Sequence, residues 1–167
     1  MFPSTTTRRG FLIGSAAAGA FLAGGCSWRS EAKAAERFEI MKSEAQWRRE
    51  LGPKRYAILR EAGTERAGTS PLDKEKRKGR FICAGCALPL FSSEAKYDSR
   101  TGWPSFFKPL PNAVRTKPEK SLFGTRTEVH CRRCGGHLGH VFDDGPRPTG
   151  KRYCMNGLAM RFVLGVA

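Results

Sequence analysis

The sequence predicts a mainly β, antiparallel fold preceded by short helices, and three observations carry that expectation. From Arg80 onward the chain breaks into short runs, Arg80-Phe81-Ile82, Ser121-Leu122-Phe123, Thr127-Glu128-Val129, His140-Val141-Phe142 and Met160-Arg161-Phe162-Val163-Leu164, separated by Gly, Pro, Asn and Asp. Helix signals are confined to the stretch before Gly63. Two Cys-x-x-Cys pairs, Cys83 with Cys86 and Cys131 with Cys134, have the spacing of two halves of a tetrahedral metal site. No repeat of fixed period is present, which excludes solenoids and propellers.

The N-terminus reads as a separate, processed segment. Thr7-Arg8-Arg9-Gly10-Phe11-Leu12 opens an uncharged run to Gly25 that resembles a twin-arginine export signal. The run is too short and too rich in glycine for a spanning helix. Residues 1–34 are therefore expected to be the signal, with Ala32-Lys33-Ala34 as cleavage site, and residues 35–167 the functional domain. Leu22-Ala23-Gly24-Gly25-Cys26 also resembles a lipoprotein processing site, in which Cys26 would be acylated. The expected location is periplasmic, with membrane attachment only through Cys26.

In the domain, Ser43 to Gln46 form a capping box at a helix start, and Trp47 and Leu51 follow one turn apart. Gly52 ends that helix, Pro53 suits the first turn of a second, and Gly63 stops it. Residues 64–79 read as a polar surface loop.

Lysine and arginine number 30 against 15 acidic residues, a formal charge of +15. The first 34 residues account for +3 of it, leaving +12 on the domain. Because the basic residues are scattered rather than gathered in a stripe, solvated surface charge is favoured over a nucleic-acid footprint. The length suits one domain, expected to be a monomer.

Four cysteines in two tight turns offer a closed set of sulfur ligands for one structural zinc, with Gly85, Gly135 and Gly136 easing the turns. Two disulfides, a redox Cys-x-x-Cys, or a histidine replacing one cysteine are the alternatives. Cys154 is left over. In a strand through Lys151-Arg152-Tyr153-Cys154-Met155-Asn156, Arg152, Cys154 and Asn156 share one face, so a cation would favour the thiolate, the nucleophilic form. Trp103, in Gly102-Trp103-Pro104-Ser105-Phe106, precedes a proline among small residues and reads as a pocket wall, with Phe106 beside it. His137 and His140 lie an odd number apart, and Gly139 permits a turn that aims both inward as acid and hydrogen-bonding partner.

The stretches CAGCALPLF, KYDSRTGWPSF, EVHCRRCGGHLGHVFDDGPRPTG and RYCMN closely resemble the B-type methionine sulfoxide reductases, over about Phe38 to Leu164. The resemblance implies two antiparallel sheets with small flanking helices, and reduction of the R epimer of methionine sulfoxide. It implies that Cys154 is the nucleophile and that Cys83, Cys86, Cys131 and Cys134 bind structural zinc. It implies that Trp103 receives the substrate methyl group while His137, His140 and Asn156 shape the site and assist protonation. Arg152 and Phe106 join the expected substrate site. Expected partners are oxidised proteins or free methionine sulfoxide, and a thioredoxin-like or small-thiol reductant.

Four positions depart from the family pattern. Thr101 stands where many members carry a resolving cysteine, so the sulfenic acid on Cys154 is expected to be reduced by an external thiol. Ala87 and Arg100 stand where glycine is common, and Gly157 where serine is usual. The competing reading is a zinc-knuckle binding module without catalysis, which gives Cys154 no role.

Overall fold

The computed structural model describes residues 37–121 and 124–165. The expected export signal, its cleavage site and Cys26 lie outside the described residues, as do Leu122 and Phe123.

A helical element, α1 (Glu44–Glu61), precedes the strands. Its capping box forms as the sequence predicts: Ser43 Oγ accepts from the Gln46 amide at 3.3 Å, and Gln46 Oε1 accepts from the Ser43 amide at 2.8 Å. Gly52 leaves helical geometry at φ 67°, so the two expected helices run on as halves of one kinked element. The left-handed residue at its end is Ala62, one position before the expected Gly63. Trp47, Leu51, Ile58 and Leu59 bury the inner face of α1.

Nine strands follow among the described residues: β1 (Gly79–Cys83), β2 (Pro89–Ser92), β3 (Lys96–Tyr97), β4 (Ser105–Phe106), β5 (Val114–Ser121), β6 (Gly124–Cys131), β7 (His137–Phe142), β8 (Arg152–Met155) and β9 (Met160–Leu164). They form the two expected sheets, one in the order β2-β1-β9 and one in the order β3-β4-β8-β7-β6-β5. Every pairing among these strands is antiparallel. Phe81, Leu90, Phe91, Phe106, Val129, Leu138, Met155 and Met160 form the core with the helix.

Two segments differ from expectation. β5 is polar and holds Pro118, yet it pairs along its full length with β6; as an edge strand it tolerates a residue without an amide hydrogen. The loop over residues 64–79 is not wholly superficial, because Glu65 and Ser70 are buried in it.

Candidate functional site

Cys154 sits in β8, the strand flanked by β4 and β7, with Ser105 as its partner on one side and His140 on the other. His140 pairs in turn with Glu128, and Glu128 with Lys117. Residues directly opposite in antiparallel strands project to the same face. Ser105, Cys154, His140, Glu128 and Lys117 therefore form one row running from β4 to β5. On the opposite face, Met155, Gly139 and Val129 form the neighbouring row in the core.

The odd spacing of the histidines is resolved by a register shift. Val129 pairs with Gly139 but His130 pairs with His137, so Leu138 is an extra residue and the phase of β7 changes there. His137 and His140 then meet edge to face, with ring centroids 5.4 Å apart. Glycine is required at position 139, where φ is 154° and a Cβ would lie 2.2 Å from the Cys154 carbonyl oxygen.

Each histidine is held by a carboxylate that the spacing of residues along the chain does not reveal. His137 Nδ1 lies 2.9 Å from Glu128 Oε1, and His140 Nε2 lies 2.8 Å from Glu119 Oε2. Lys117 bonds the second oxygen of Glu128 at 2.9 Å, and Arg126 bonds Glu119 at 2.9 Å. Burial pushes the His137 pKa down, against the opposing pull of Glu128. The hydrogen bond from His140, ahead of that from Arg126, lowers Glu119. The signal that could have found Glu128 is an acidic residue inside an otherwise strand-like run.

Arg152 lies near Cys154 but is not an unshared cation. It makes two 2.8 Å bonds to Asp144 and stacks on Phe142 at 4.3 Å. Its hydrogen bond to Asp144 is the main reason its pKa rises, with a smaller contribution from Cys154. Thr101 Oγ1 lies 3.8 Å from Cys154 Sγ, and Ser99 links Thr101 to Ser105 through hydroxyl contacts of 2.8 and 2.7 Å.

Trp103 is half-buried, and its indole nitrogen donates to the Glu65 carbonyl at 3.1 Å. Glu65 also fixes the turn Gly157–Ala159: its carboxylate accepts from the Gly157 amide and, at 3.0 Å, from the Leu158 amide. Asn156, expected in the substrate site, is buried with both side-chain polar atoms on backbone partners, Glu65 N at 2.9 Å and Leu138 O at 3.2 Å. It holds neighbouring segments together. The expectation for Phe106 is corrected: it is fully buried and stacked on Phe91 at 4.3 Å, because it projects to the face opposite its neighbour Ser105.

The four paired cysteines converge as expected. Their sulfurs all lie within 4.8 Å of one another, with Cys83 to Cys134 at 3.7 Å and Cys86 to Cys131 at 3.5 Å. These separations exceed a disulfide bond and approach the roughly 3.8 Å edge of a tetrahedron with metal–sulfur bonds of about 2.3 Å. Each turn closes in the same way, Ala87 N donating to Cys83 O and Gly135 N to Cys131 O, both at 2.9 Å, with residues 87 and 135 left-handed. The cluster joins β1 of the small sheet to β6 of the large one, so a metal held there ties the two sheets together.

A SelR domain model matches residues 51–164. The chain is 52% identical over 126 residues to the peptide methionine sulfoxide reductase MsrB of Leptospira interrogans, covering 75% of this chain and 96% of that one. It is 51% identical over 125 residues to the protein of the same name in Agrobacterium fabrum, covering 74% and 93%. The MsrB of Thiobacillus denitrificans is 53% identical over 122 residues, covering 72% and 92%. Identity of about half the residues over most of the domain, on a fold of two antiparallel sheets with a four-sulfur cluster, shows that the chain belongs to the B-type methionine sulfoxide reductases, the peptide-methionine (R)-S-oxide reductases.

Proposed function

We propose that this chain reduces the R epimer of methionine sulfoxide, in proteins or as the free amino acid, through a sulfenic acid on Cys154. The observation that carries the reading is the cross-strand row that puts the described thiol outside the four-sulfur cluster next to His140. The Cys154 thiolate attacks the sulfoxide sulfur, and a proton delivered by a histidine lets the oxygen leave it. The oxygen ends on Cys154 as a sulfenic acid and methionine departs. One external thiol then forms a mixed disulfide and releases water; a second releases that disulfide and restores the Cys154 thiol. Thr101 at the resolving position favours this route.

The metal is zinc in this reading, since four cysteine sulfurs with no open position suit a structural zinc site. When bound it keeps four crowded thiolates ionised and braces the two sheets. Residues 1–34 direct the folded protein to the periplasm. A thioredoxin-like protein or a small thiol supplies the electrons, and the enzyme acts as a monomer.

Replacing Cys154 with serine tests the assignment. The expected result is loss of R-epimer reduction with metal content and thermal midpoint unchanged. Activity retained in that variant overturns the reading.

A further inference from the structure

We propose that Glu128 is a positioning residue for His137, fixing the imidazole in the form that carries its proton on Nδ1 and keeps Nε2 as a free lone pair. The geometry is specific. Glu128 is 4% exposed and His137 3%. One Glu128 oxygen meets His137 Nδ1 and the other meets Lys117 Nζ, each at 2.9 Å. An ionised carboxylate only accepts hydrogen bonds, so Nδ1 must donate.

Charge balance supports the same assignment. Burial works against the Glu128 carboxylate, but its bonds to His137 and Lys117 outweigh it and hold its pKa below the usual range. Burial keeps the imidazole neutral, so a ring protonated on Nδ1 has no proton on Nε2. That nitrogen is buried without a hydrogen-bond partner among the described residues. Such an atom costs stability unless a ligand or reacting group uses it. The groups around the ring are Lys117 and Glu119 of β5, Glu128 of β6, His140 of β7 and Arg60 of α1. Arg60 is committed to the Cys134 carbonyl at 2.9 Å. His140 is held by its other nitrogen, Nε2, so the two imidazoles present opposite atoms.

The consequence rests on the proposed reduction. A free lone pair can take a proton from a donor brought to it during turnover, Glu128 then stabilises the imidazolium, and the same proton can be handed on to the sulfoxide oxygen. No proton is gained or lost in the transfer.

Nitrogen NMR of the 15N-labelled full chain, with a His137→Gln spectrum for assignment, reads the protonation of each ring nitrogen directly. The expected result above pH 7 is protonated Nδ1 and bare Nε2; a proton on Nε2 overturns the proposal. In Glu128→Gln, kcat falls about tenfold or more with KM within about twofold, and both ring forms become populated. Unchanged kcat with an unchanged ring form overturns it. Lys117→Met keeps the wild-type ring form, and if Glu128→Gln fails to fold, the wild-type and Lys117→Met spectra decide. Wild-type protein inactive on the R epimer would remove the functional reading while leaving the ring-form measurement valid.

Discussion

A carbon added to Gly157 would lie 1.8 Å from the Ser70 hydroxyl oxygen, so Ser70 fills the space that a larger residue at position 157 needs. The serine usual after asparagine in this family is absent here, and a hydroxyl from the neighbouring loop stands in its place. Gly157→Ser alone should destabilise the domain by about 1–3 kcal/mol through overpacking. Adding Ser70→Gly should recover most of that loss in urea unfolding. Additive effects would show that the two positions are not coupled.

Thr101 Oγ1 and Cys154 Sγ are 3.8 Å apart, close enough for a bond between sulfurs after a small side-chain rotation. In Thr101→Cys, one turnover with methionine sulfoxide should yield an intramolecular disulfide, seen as a mass lower by two hydrogens and a linked peptide. The wild type should show none. A disulfide between Cys154 and another cysteine in the wild type would sink the external-thiol route.

Ala87 and Arg100 both adopt left-handed backbone, at φ 57° and φ 58°. A side chain there is strained, which explains why glycine is common at these positions in the family. Ala87→Gly and Arg100→Gly should each stabilise the fold by about 1 kcal/mol in chemical denaturation. The converse change, Gly135→Ala, should destabilise it, because the new carbon would lie 2.4 Å from the Phe38 ring.

Acid should weaken the domain in two stages. The folded His137 pKa lies below its ordinary 6.5, so the unfolded chain takes the proton first as pH falls. Its contribution is whole above about pH 6.5 and is lost as pH drops through the folded value. Glu128 acts in the same direction lower down: its contribution is whole above 4.5 and is lost as pH falls through its depressed folded pKa. Thermal midpoints should fall between about pH 7 and pH 5, and His137→Gln should flatten that slope. A slope unchanged in the variant would exclude His137 as its source.

The convergence of Cys83, Cys86, Cys131 and Cys134 was legible because two tight Cys-x-x-Cys turns are set by spacing along the chain. The supporting carboxylates were not. Glu65, Glu119 and Glu128 look like ordinary polar residues until pairing brings them to a turn or a histidine. The shared face of His137 and His140 depends on the extra residue Leu138, which only the register with β6 reveals. Phe106 shows the converse error, since adjacency to Trp103 in sequence suggested a pocket whereas strand alternation sends it inward. The polar β5 was missed because an edge strand needs little apolar content.

The order of strands also sets which part of the site needs the last third of the chain. All four clustered sulfurs belong to residues up to Cys134, whereas β8 must insert between β4 and β7, and β9 must return to β1. The four sulfurs are thus gathered from the chain up to Cys134, whereas the row that holds Cys154 needs the segment that follows.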